Sequence, residues 1–271
     1  MPLYVAATPI GNLGDLSPRT RAALASARLI LCEDTRETRR LLSAVGVPAP
    51  RLRACHAHNE DDALPEVIER LGAGEDVLLV SDAGTPAVSD PGARIVDGVH
   101  AAGHPVRCLP GPSAITAALS VSGLAVPPIH LLGFPPRADG DLDRLLTEAS
   151  RWPGTLVLLE RGSRLGRLIG AVQARMPDRR ACICRELSKL HEEVRQGPVL
   201  ALDAAPVPGE VVLVIGPGAA APEAAAPALA GEGLKDLAAV LAARWGLPRR
   251  EAYQRLLALD AAVRGEERPD G

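Results

Sequence analysis

The stretch Asp76–Pro86, DVLLVSDAGTP, decides the fold of this chain. Within Asp76–Ser81 the aliphatic residues follow one another without alternating with polar ones, which predicts a strand buried on both faces of a parallel sheet. A turn containing Gly84 and Pro86 follows at once. Glycine lets the backbone come close to a ligand, and proline fixes the shape of a turn. The stretch therefore predicts a parallel strand that ends in a ligand-binding turn.

The same arrangement occurs twice more. A predicted strand at Leu3–Ala7 runs into the turn Thr8–Asn12 (TPIGN), and a predicted strand at Pro105–Leu109 runs into Pro110–Ala114 (PGPSA). In open α/β sheets, ligands bind outside the carboxyl ends of the strands. Three such turns at one edge of a sheet favour a pocket for a small molecule.

Short strands alternate with helices along most of the chain, which indicates parallel or mixed sheets covered by helices. The first series also contains a strand at Leu29–Cys32 and helices at Pro18–Ala27, Thr35–Val45, Leu64–Leu71, Ala93–Ala102 and Ser113–Leu119. A second series follows the Pro- and Gly-rich stretch between Gly123 and Pro136, with strands at Thr155–Leu159, Arg180–Cys184 and Val211–Ile215 and a helix at Ser163–Arg175. We therefore predict an α/β protein with an N-terminal domain over 1–120 and a second α/β domain over 121–216.

The end of the chain differs in composition. Residues 217–231 are rich in alanine and proline and are predicted to be a linker. Over 232–264, apolar residues recur at helical spacing on both sides of a break at Gly246–Pro248, which predicts a small helical hairpin. Both a helix-turn-helix and a hairpin that caps a domain or a dimer remain open.

Composition excludes several classes of protein. Of the 271 residues, 47% are hydrophobic and 23% charged, which excludes a wholly disordered chain, and the net charge of −3 excludes a histone-like nucleic-acid binder. Aromatic residues are only 2%, so rows of aromatic side chains that stack on bases are excluded. No apolar run is long enough to span a membrane, and Met1–Asn12 lacks the pattern of a signal peptide, so we expect a cytoplasmic protein.

Common site motifs are absent from the sequence. There is no P-loop and no GxGxxG after a strand. The five cysteines form no CxxC pair, and we expect reduced thiols. Cys55–His58 (CHAH) looks like a metal cluster, but strand alternation would put His56 and His58 on the opposite face from Cys55, and no second ligand pair follows. We therefore expect no metal site.

Seven blocks of the sequence together carry a family resemblance: Thr8–Asp15, Cys32–Arg36, His58–Glu60, Val80–Gly92, Leu109–Gly123, Leu132–Arg137 and Arg185–Glu193. They include the motifs CEDTR, SDAGTP and KLHEE, a very specific combination. With these blocks the chain resembles the ribosomal RNA small subunit methyltransferase I family of the tetrapyrrole methylase superfamily. The resemblance implies two α/β domains of tetrapyrrole methylase type with a cleft for S-adenosyl-L-methionine between them, a homodimer, and methylation of a cytidine 2′-hydroxyl in 16S rRNA of the small ribosomal subunit.

The resemblance also implies which residues bind the cofactor: Pro9, Ala83, Gly84, Thr85, Val88, Ser113, Ala114, Glu160 and Leu187. A methionine-like carboxylate needs backbone donors, and adenine needs an apolar slot with few polar contacts, which such turns supply. One departure stands out. After the predicted strand Thr155–Leu159, sequences of this family usually read YESPHR, whereas this chain has LERGSR at Leu159–Arg164, without the proline and the histidine.

Transfer of a methyl group to a ribose hydroxyl requires a group that accepts the proton. Glu33 is our first candidate, because it follows a buried strand and related enzymes have an acidic residue near this point; alternatively it is a helix N-terminal carboxylate beside the capping residue Asp34. Lys189, the only lysine before the tail, is the second candidate, and alternatively it pairs with Glu192 or Glu193.

RNA binding must depend on local charge, because the net charge is negative. We expect phosphate contacts from Arg36, Arg39 and Arg40, which share a helix face. Arg185 and His191 are further candidates, and His191 is also an alternative proton acceptor. Arg185 belongs to a second basic group: Arg179, Arg180, Arg185, Lys189 and Arg195. The alternative for each arginine is an ordinary ion pair at the surface.

Two other functions remain open at this point. One is methylation of a carbon of a tetrapyrrole, as in other members of the superfamily, and the other is a non-catalytic ribosome-binding factor that keeps the fold. The single phenylalanine, Phe134, lies at the predicted domain junction inside one of the blocks. Its retention in a chain so poor in aromatic residues predicts a role in packing or in cofactor binding.

Overall fold

Five parallel strands form the first sheet of the computed structural model, in the order β3-β2-β4-β1-β5. These are β1 (Leu3–Ala6), β2 (Leu29–Cys32), β3 (Arg51–Ala54), β4 (Val77–Val80) and β5 (Val106–Leu109). The structure describes residues 1–218, 235, 237–239, 242 and 248–264. It divides the chain into two compact units, Met1–Ala219 and Ala220–Gly271, and both sheets lie in the first.

Helices cover both faces of this sheet: α1 (Pro18–Ser26), α2 (Thr35–Ala44), α3 (Glu60–Gly72) and α4 (Ala93–Ala101). The central position of β4 in the sheet explains why apolar residues do not alternate with polar ones along this strand. Val77 and Leu79 pack under α3 and α4, while Leu78 and Val80 pack under α1 and α2, so every side chain of the strand is buried. The Asp34 carboxylate caps α2 by accepting a hydrogen bond from the Arg36 N–H at 2.8 Å.

The second sheet is mixed, in the order β6-β7-β10-β8-β9. Its strands are β6 (Ile129–Gly133), β7 (Thr155–Arg161), β8 (Arg180–Arg185), β9 (Glu193–Pro198) and β10 (Glu210–Ile215). Only β6 and β7 pair in parallel, and the other neighbours are antiparallel. The predicted α/β class, with two sheets and covering helices, is confirmed.

Three helices cover this second sheet: α5 (Ala114–Ser122), α6 (Asp139–Ala149) and α7 (Leu165–Arg175). The α6 and α7 helices bury one face through residues such as Leu146 and Ile169. The α5 helix buries the other, where Ala118 packs among residues of β7, β8 and β10. The α5 helix is the next element after β5, yet it packs on the second sheet. The part of the chain that covers the second sheet therefore begins before residue 120, the domain boundary that the sequence predicted.

Most predicted elements lie within a few residues of their observed bounds, but four elements were missed. These are β3, β6, α6 and β9. The three strands are all at the edges of the sheets, where little apolar surface is buried and the sequence pattern is weak. The helix predicted at Leu64–Leu71 begins earlier, at Glu60, because three acidic residues fill its first turn.

In the second unit, the helix α8 (Arg249–Arg264) begins at the first of two arginines. Ala238 and Ala242 form a small apolar cluster with Ala252 and Leu256 of this helix. The predicted linker, apart from Pro217 and Gly218, and most of the first predicted tail helix lie outside the described residues. Among the helices that the structure describes, none is long and apolar enough to cross a membrane.

Candidate active site

The three predicted turns meet at the carboxyl edge of the first sheet and are hydrogen-bonded to one another. The Thr8 N–H donates to the Gly84 carbonyl at 2.9 Å, and the Gly84 N–H donates back to the Thr8 carbonyl at 3.1 Å. The Thr8 hydroxyl donates to the Ser81 carbonyl at 3.0 Å, and the Thr85 hydroxyl donates to the Pro112 carbonyl at 3.3 Å. The turns therefore form one connected backbone wall.

Gly84 is at the centre of this wall. Its φ of +85° lies in the left-handed region that favours glycine. A Cβ atom there would lie 3.4 Å from Ile10 Cγ2 and 3.8 Å from the Pro112 carbonyl oxygen, so the residue is held between the other two turns. Glycine is needed for this conformation, whereas a Cβ atom would make only ordinary van der Waals contacts with the two turns.

A cavity of about 560 Å³ lies between this wall and the second sheet. That volume is in the usual range for a pocket that binds a small molecule or cofactor. The second sheet contributes an apolar surface to it, formed by Leu159, Cys184, Leu187, Val211 and Val212. The cavity therefore combines exposed backbone on one side with an apolar wall on the other.

Most of the residues that the resemblance assigned to the cofactor line this one cavity: Ala83, Gly84, Thr85, Val88, Ser113, Ala114, Glu160 and Leu187. Pro9 does not line it, and the next residue, Ile10, does. The first turn thus reaches the cavity one residue later than the resemblance implied.

The α5 helix begins at the cavity wall. Ser113 occupies its N-cap position, but the Ser113 side chain makes no capping hydrogen bond, and Ser113, Ala114 and Ile115 all line the cavity. The first N–H groups of a helix have no partner within the helix and carry partial positive charge. This end of α5 therefore suits a carboxylate or another anion.

The segment Leu159–Arg164, which departs from the expected family pattern, is closely packed. A Cβ atom at Gly162 would collide with the Val207 carbonyl oxygen, so glycine is needed at this contact. Glu160 is buried, and its carboxylate accepts hydrogen bonds from the Arg161 N–H at 2.8 Å and from Arg164 Nε at 2.8 Å. Arg161 and Arg164 both line the cavity.

Three carboxylates line the cavity on the side of the first sheet: Glu33, Asp82 and Asp90. Glu33 makes no hydrogen bond within the described part of the chain, which leaves its carboxylate free to accept a proton. Desolvation, followed by the charges of Asp82 and Asp34, raises the pKa of Glu33 above its usual value. Asp34 instead caps α2, and its hydrogen bonds with Arg36 lower the pKa of Asp34 to about 2.

Asp90 is a cavity residue that the sequence reasoning did not single out, although it lies in the same block as Gly84. The turn that presents it contains two non-glycine residues with left-handed backbone, Ala87 at φ 63° and Ser89 at φ 66°, a conformation that costs free energy. Desolvation, with the charges of Glu33 and Asp82, raises the pKa of Asp90 to about 6.

Lys189 lines the cavity, but its surroundings disagree with the role of proton acceptor. Its ammonium donates to Glu186 Oε1 at 3.0 Å and to Glu210 Oε2 at 3.1 Å, not to Glu192 or Glu193. Burial lowers the pKa of Lys189, but the two carboxylates outweigh burial and raise it. Lys189 therefore stays charged, and its side chain lies over Gly11, where a Cβ atom would collide with it.

None of the five residues expected to contact RNA lines the cavity. Arg36 pairs with Asp34 at 2.5 Å and Arg40 with Glu37 at 2.6 Å. Arg39 makes only a long hydrogen bond of 3.4 Å to the Thr35 hydroxyl. All three arginines are exposed on α2.

The second basic group does not form the expected surface. Arg179 is buried, and its guanidinium donates to the carbonyls of Ser150 at 2.8 Å and Trp152 at 3.0 Å, so it holds the fold together. Arg185 pairs with Glu193 and donates to the Pro208 carbonyl at 2.9 Å. Arg195 pairs with Glu193 and Asp203. His191 is exposed in the loop after β8.

Phe134 does not pack in a core, which was one of the two roles predicted for it, and the other, cofactor binding, stays a prediction. Its side chain is 58% exposed and lines the cavity, with Pro135 and Arg137 beside it.

The CHAH segment, Cys55–His58, does not lie on a strand, because β3 ends at Ala54 and the two histidines lie in the loop that follows. Over the described ranges, no group of three or more His, Cys, Asp or Glu side chains is arranged to hold a metal ion.

Comparison with known proteins gives consistent results. The Tetrapyrrole (Corrin/Porphyrin) Methylases family matches residues 2–203. Ribosomal RNA small subunit methyltransferase I of Mesorhizobium japonicum is 42% identical over 95% of this chain and 92% of its own length. The protein of the same name from Xylella fastidiosa is 45% identical over 74% of this chain and 73% of its own.

A solved structure supports the fold. The uroporphyrin-III C-methyl transferase from Thermus thermophilus, in complex with S-adenyl homocysteine, matches with a TM-score of 0.56 and 19% identity, over 80% of this chain and 97% of that one. The chain therefore belongs to the tetrapyrrole (corrin/porphyrin) methylases and, among them, to the ribosomal RNA small subunit methyltransferase I family.

Proposed function

We propose that this protein transfers the methyl group of S-adenosyl-L-methionine to the 2′-hydroxyl of a cytidine in 16S rRNA of the small ribosomal subunit. The observation that carries the proposal is the cavity between the two sheets, which is lined by backbone turns, carboxylates and cations. The chain around it matches ribosomal RNA small subunit methyltransferase I proteins over nearly its full length.

The cavity fits the cofactor on chemical grounds. The uncapped start of α5 and the backbone around Gly84 offer N–H donors for a carboxylate. Leu159, Leu187 and Val212 offer an apolar surface for adenine. The carboxylates of Asp82 and Asp90 suit a ligand that carries an ammonium and a sulfonium. S-adenosyl-L-methionine supplies an activated methyl group.

The residues of the chain then have two tasks. They hold the ribose oxygen in line with the methyl carbon and the sulfur, which accounts for much of the rate gain in such reactions. They also take the proton that the hydroxyl loses as its oxygen gains the methyl group. We assign this proton to the carboxylate of Glu33, because that group is free and has a raised pKa. Lys189, held charged by Glu186 and Glu210, fixes these two carboxylates at the cavity wall.

We further propose that the protein works in the cytoplasm as a homodimer. Four exposed aliphatic side chains support an interface: Ile129 and Leu131 on the edge strand β6, and Val121 and Val126 just before it. A second copy would cover this surface. Light scattering should then give twice the mass of the chain, and the mass of a single chain would reject the dimer.

One assay tests the activity. The protein is incubated with methyl-labelled S-adenosyl-L-methionine and with small ribosomal subunits, naked 16S rRNA or uroporphyrinogen. We expect label in a ribose of the subunit RNA, located by nuclease digestion and mass spectrometry of the nucleosides. Label only in the tetrapyrrole contradicts the proposal. Binding of subunits without any binding of S-adenosylhomocysteine would instead indicate a non-catalytic ribosome-binding factor.

A further inference from the structure

Three residues that line the cavity have no part in the mechanism so far: Phe134, Arg137 and Arg161. Phe134 is the only phenylalanine of the chain, and more than half of its side chain is exposed. A ring of this size normally contributes to a protein core by being buried. An exposed ring at a cavity wall is available to a ligand.

The loop that carries Phe134 is held in place. Gly133, with a φ of +66°, ends β6 and turns the chain, and Pro135 beside the ring is buried. Arg167 of α7 donates from Nη1 to the Pro136 carbonyl at 3.0 Å and from Nε to Asp139 at 2.7 Å. The exposure of the ring is therefore set by the fold.

Arg137 and Arg161 are exposed, and neither forms an ion pair with a carboxylate in the part of the chain that the structure describes. Several other arginines of the second sheet and its helices do so. Arg164 pairs with Glu160, and Arg185 pairs with Glu193. Two unpaired guanidiniums on the wall that carries an exposed ring form a site for an aromatic group joined to anions.

We propose that Phe134, Arg137 and Arg161 form the subsite that receives the target nucleotide, with the ring stacked on the nucleobase and the two guanidiniums on the flanking phosphates. This inference rests on the proposed function. A ribose hydroxyl reaches a methyl donor inside a cavity only when its nucleotide leaves the stack, and an unstacked base is commonly held on an aromatic face. Arginine forks match phosphate oxygens.

Substitution of each of the three residues should remove a different contact with the nucleotide. Phe134→Ala removes the stacking surface and should raise the KM for small subunits by about 10-fold. Phe134→Trp should restore most of the affinity, and Phe134→Leu should not. Arg137→Gln and Arg161→Gln should each raise the KM and reduce the dependence of log Kd on log salt by about one unit. In all of these variants, the Kd of S-adenosylhomocysteine should stay at the wild-type value.

The controls are exposed residues of the same types that do not line the cavity. Leu200→Ala removes an exposed apolar side chain, and Arg151→Gln removes an exposed guanidinium. Both should leave the KM unchanged. Circular dichroism confirms folding, and light scattering of each variant shows whether Phe134 contacts a second copy.

Equilibrium binding of small subunits, measured with S-adenosylhomocysteine present, separates this inference from the proposed function. Weaker subunit binding in the three variants supports the subsite even if the wild type transfers no methyl group. The inference is wrong if Phe134→Ala weakens S-adenosylhomocysteine binding as much as subunit binding, which would make Phe134 a cofactor contact. It is also wrong if that variant changes the oligomeric mass, or if subunit binding is unaffected in all three.

Discussion

The two sheets line the same cavity with groups of opposite charge. The first sheet presents Glu33, Asp82 and Asp90 without a cation among the cavity residues on its side. The carboxylates of the second sheet, Glu160, Glu186 and Glu210, are all paired with Arg164 or Lys189. The first side is therefore negative, and the second side, with Arg137 and Arg161 in addition, is positive.

This difference in charge would place the cofactor and the RNA on different sides of the cavity. A sulfonium cofactor and a ribose proton need negative groups and backbone donors, which come from the turns of the parallel sheet. A phosphate chain needs cations, which come from the mixed sheet. The net charge of −3 is a sum over the whole chain. It therefore does not reveal that one wall of the cavity is positive and suits RNA. Variants on each side should thus affect different measured quantities.

The largest expected effect is on turnover. Glu33→Gln removes the proton acceptor, and kcat should fall by about 10²-fold or more, while the Kd of S-adenosylhomocysteine stays unchanged. Because a base must be ionised, wild-type kcat should fall as the pH drops through the raised pKa of Glu33. Steady-state assays with small subunits over a range of pH measure both quantities.

Glu37→Gln is the matched control, since Glu37 is an exposed carboxylate on α2 that pairs with Arg40 and does not line the cavity. It should keep wild-type kcat. Wild-type turnover in Glu33→Gln would remove Glu33 from the chemistry and leave Asp82 and Asp90, the two other carboxylates on this side of the cavity, both with a raised pKa.

A smaller effect concerns stability. The pKa of Asp90 is raised to about 6 in the folded protein, above the usual ~3.9 of aspartate in an unfolded chain. The folded state therefore binds this proton more tightly, so the free energy of unfolding decreases as the pH rises from about 4 to about 6 and then stays level. Asp90→Asn removes this decrease, which is on the order of 2 kcal/mol.

Urea denaturation at pH 4 and pH 7.5 measures this difference. Relative to the wild type, Asp90→Asn should be more stable at pH 7.5 than at pH 4. Asp97→Asn, at an exposed position of α4, should show no such change. An equal difference between wild type and Asp90→Asn at both pH values would show that Asp90 is not desolvated in the folded protein.

The sequence predicted the parallel sheet better than the mixed one. Strands such as β4 are buried on both faces, so their continuous apolar residues identify them, and the turns that follow carry glycine and proline. The edge strands β3, β6 and β9 bury less, and β3 alternates arginine with apolar residues. Their positions depend on pairing with distant strands, which no local pattern reveals.

The candidate site shows the same contrast between features set by local sequence and features set by distant residues. Backbone contacts made by turns were predictable, because the turn chemistry is local. The partners of Lys189, the burial of Arg179 and the exposure of Phe134 were not, since each depends on residues far along the chain. Glu210, for example, is 21 residues from Lys189 in sequence. Tertiary packing alone decides which arginines remain free for RNA.

The most direct test of the central claim, that the turns of the first sheet hold the cofactor, is a calorimetric titration with S-adenosylhomocysteine. Gly84→Val and Gly74→Val impose similar strain, with φ values of +85° and +80°, but only Gly84 lines the cavity, and a Cβ atom at Gly74 meets nothing within 4 Å. We expect one bound molecule per chain in the wild type and in Gly74→Val, and no measurable binding in Gly84→Val. Equal binding by the two variants would show that the turns of the first sheet do not hold the cofactor.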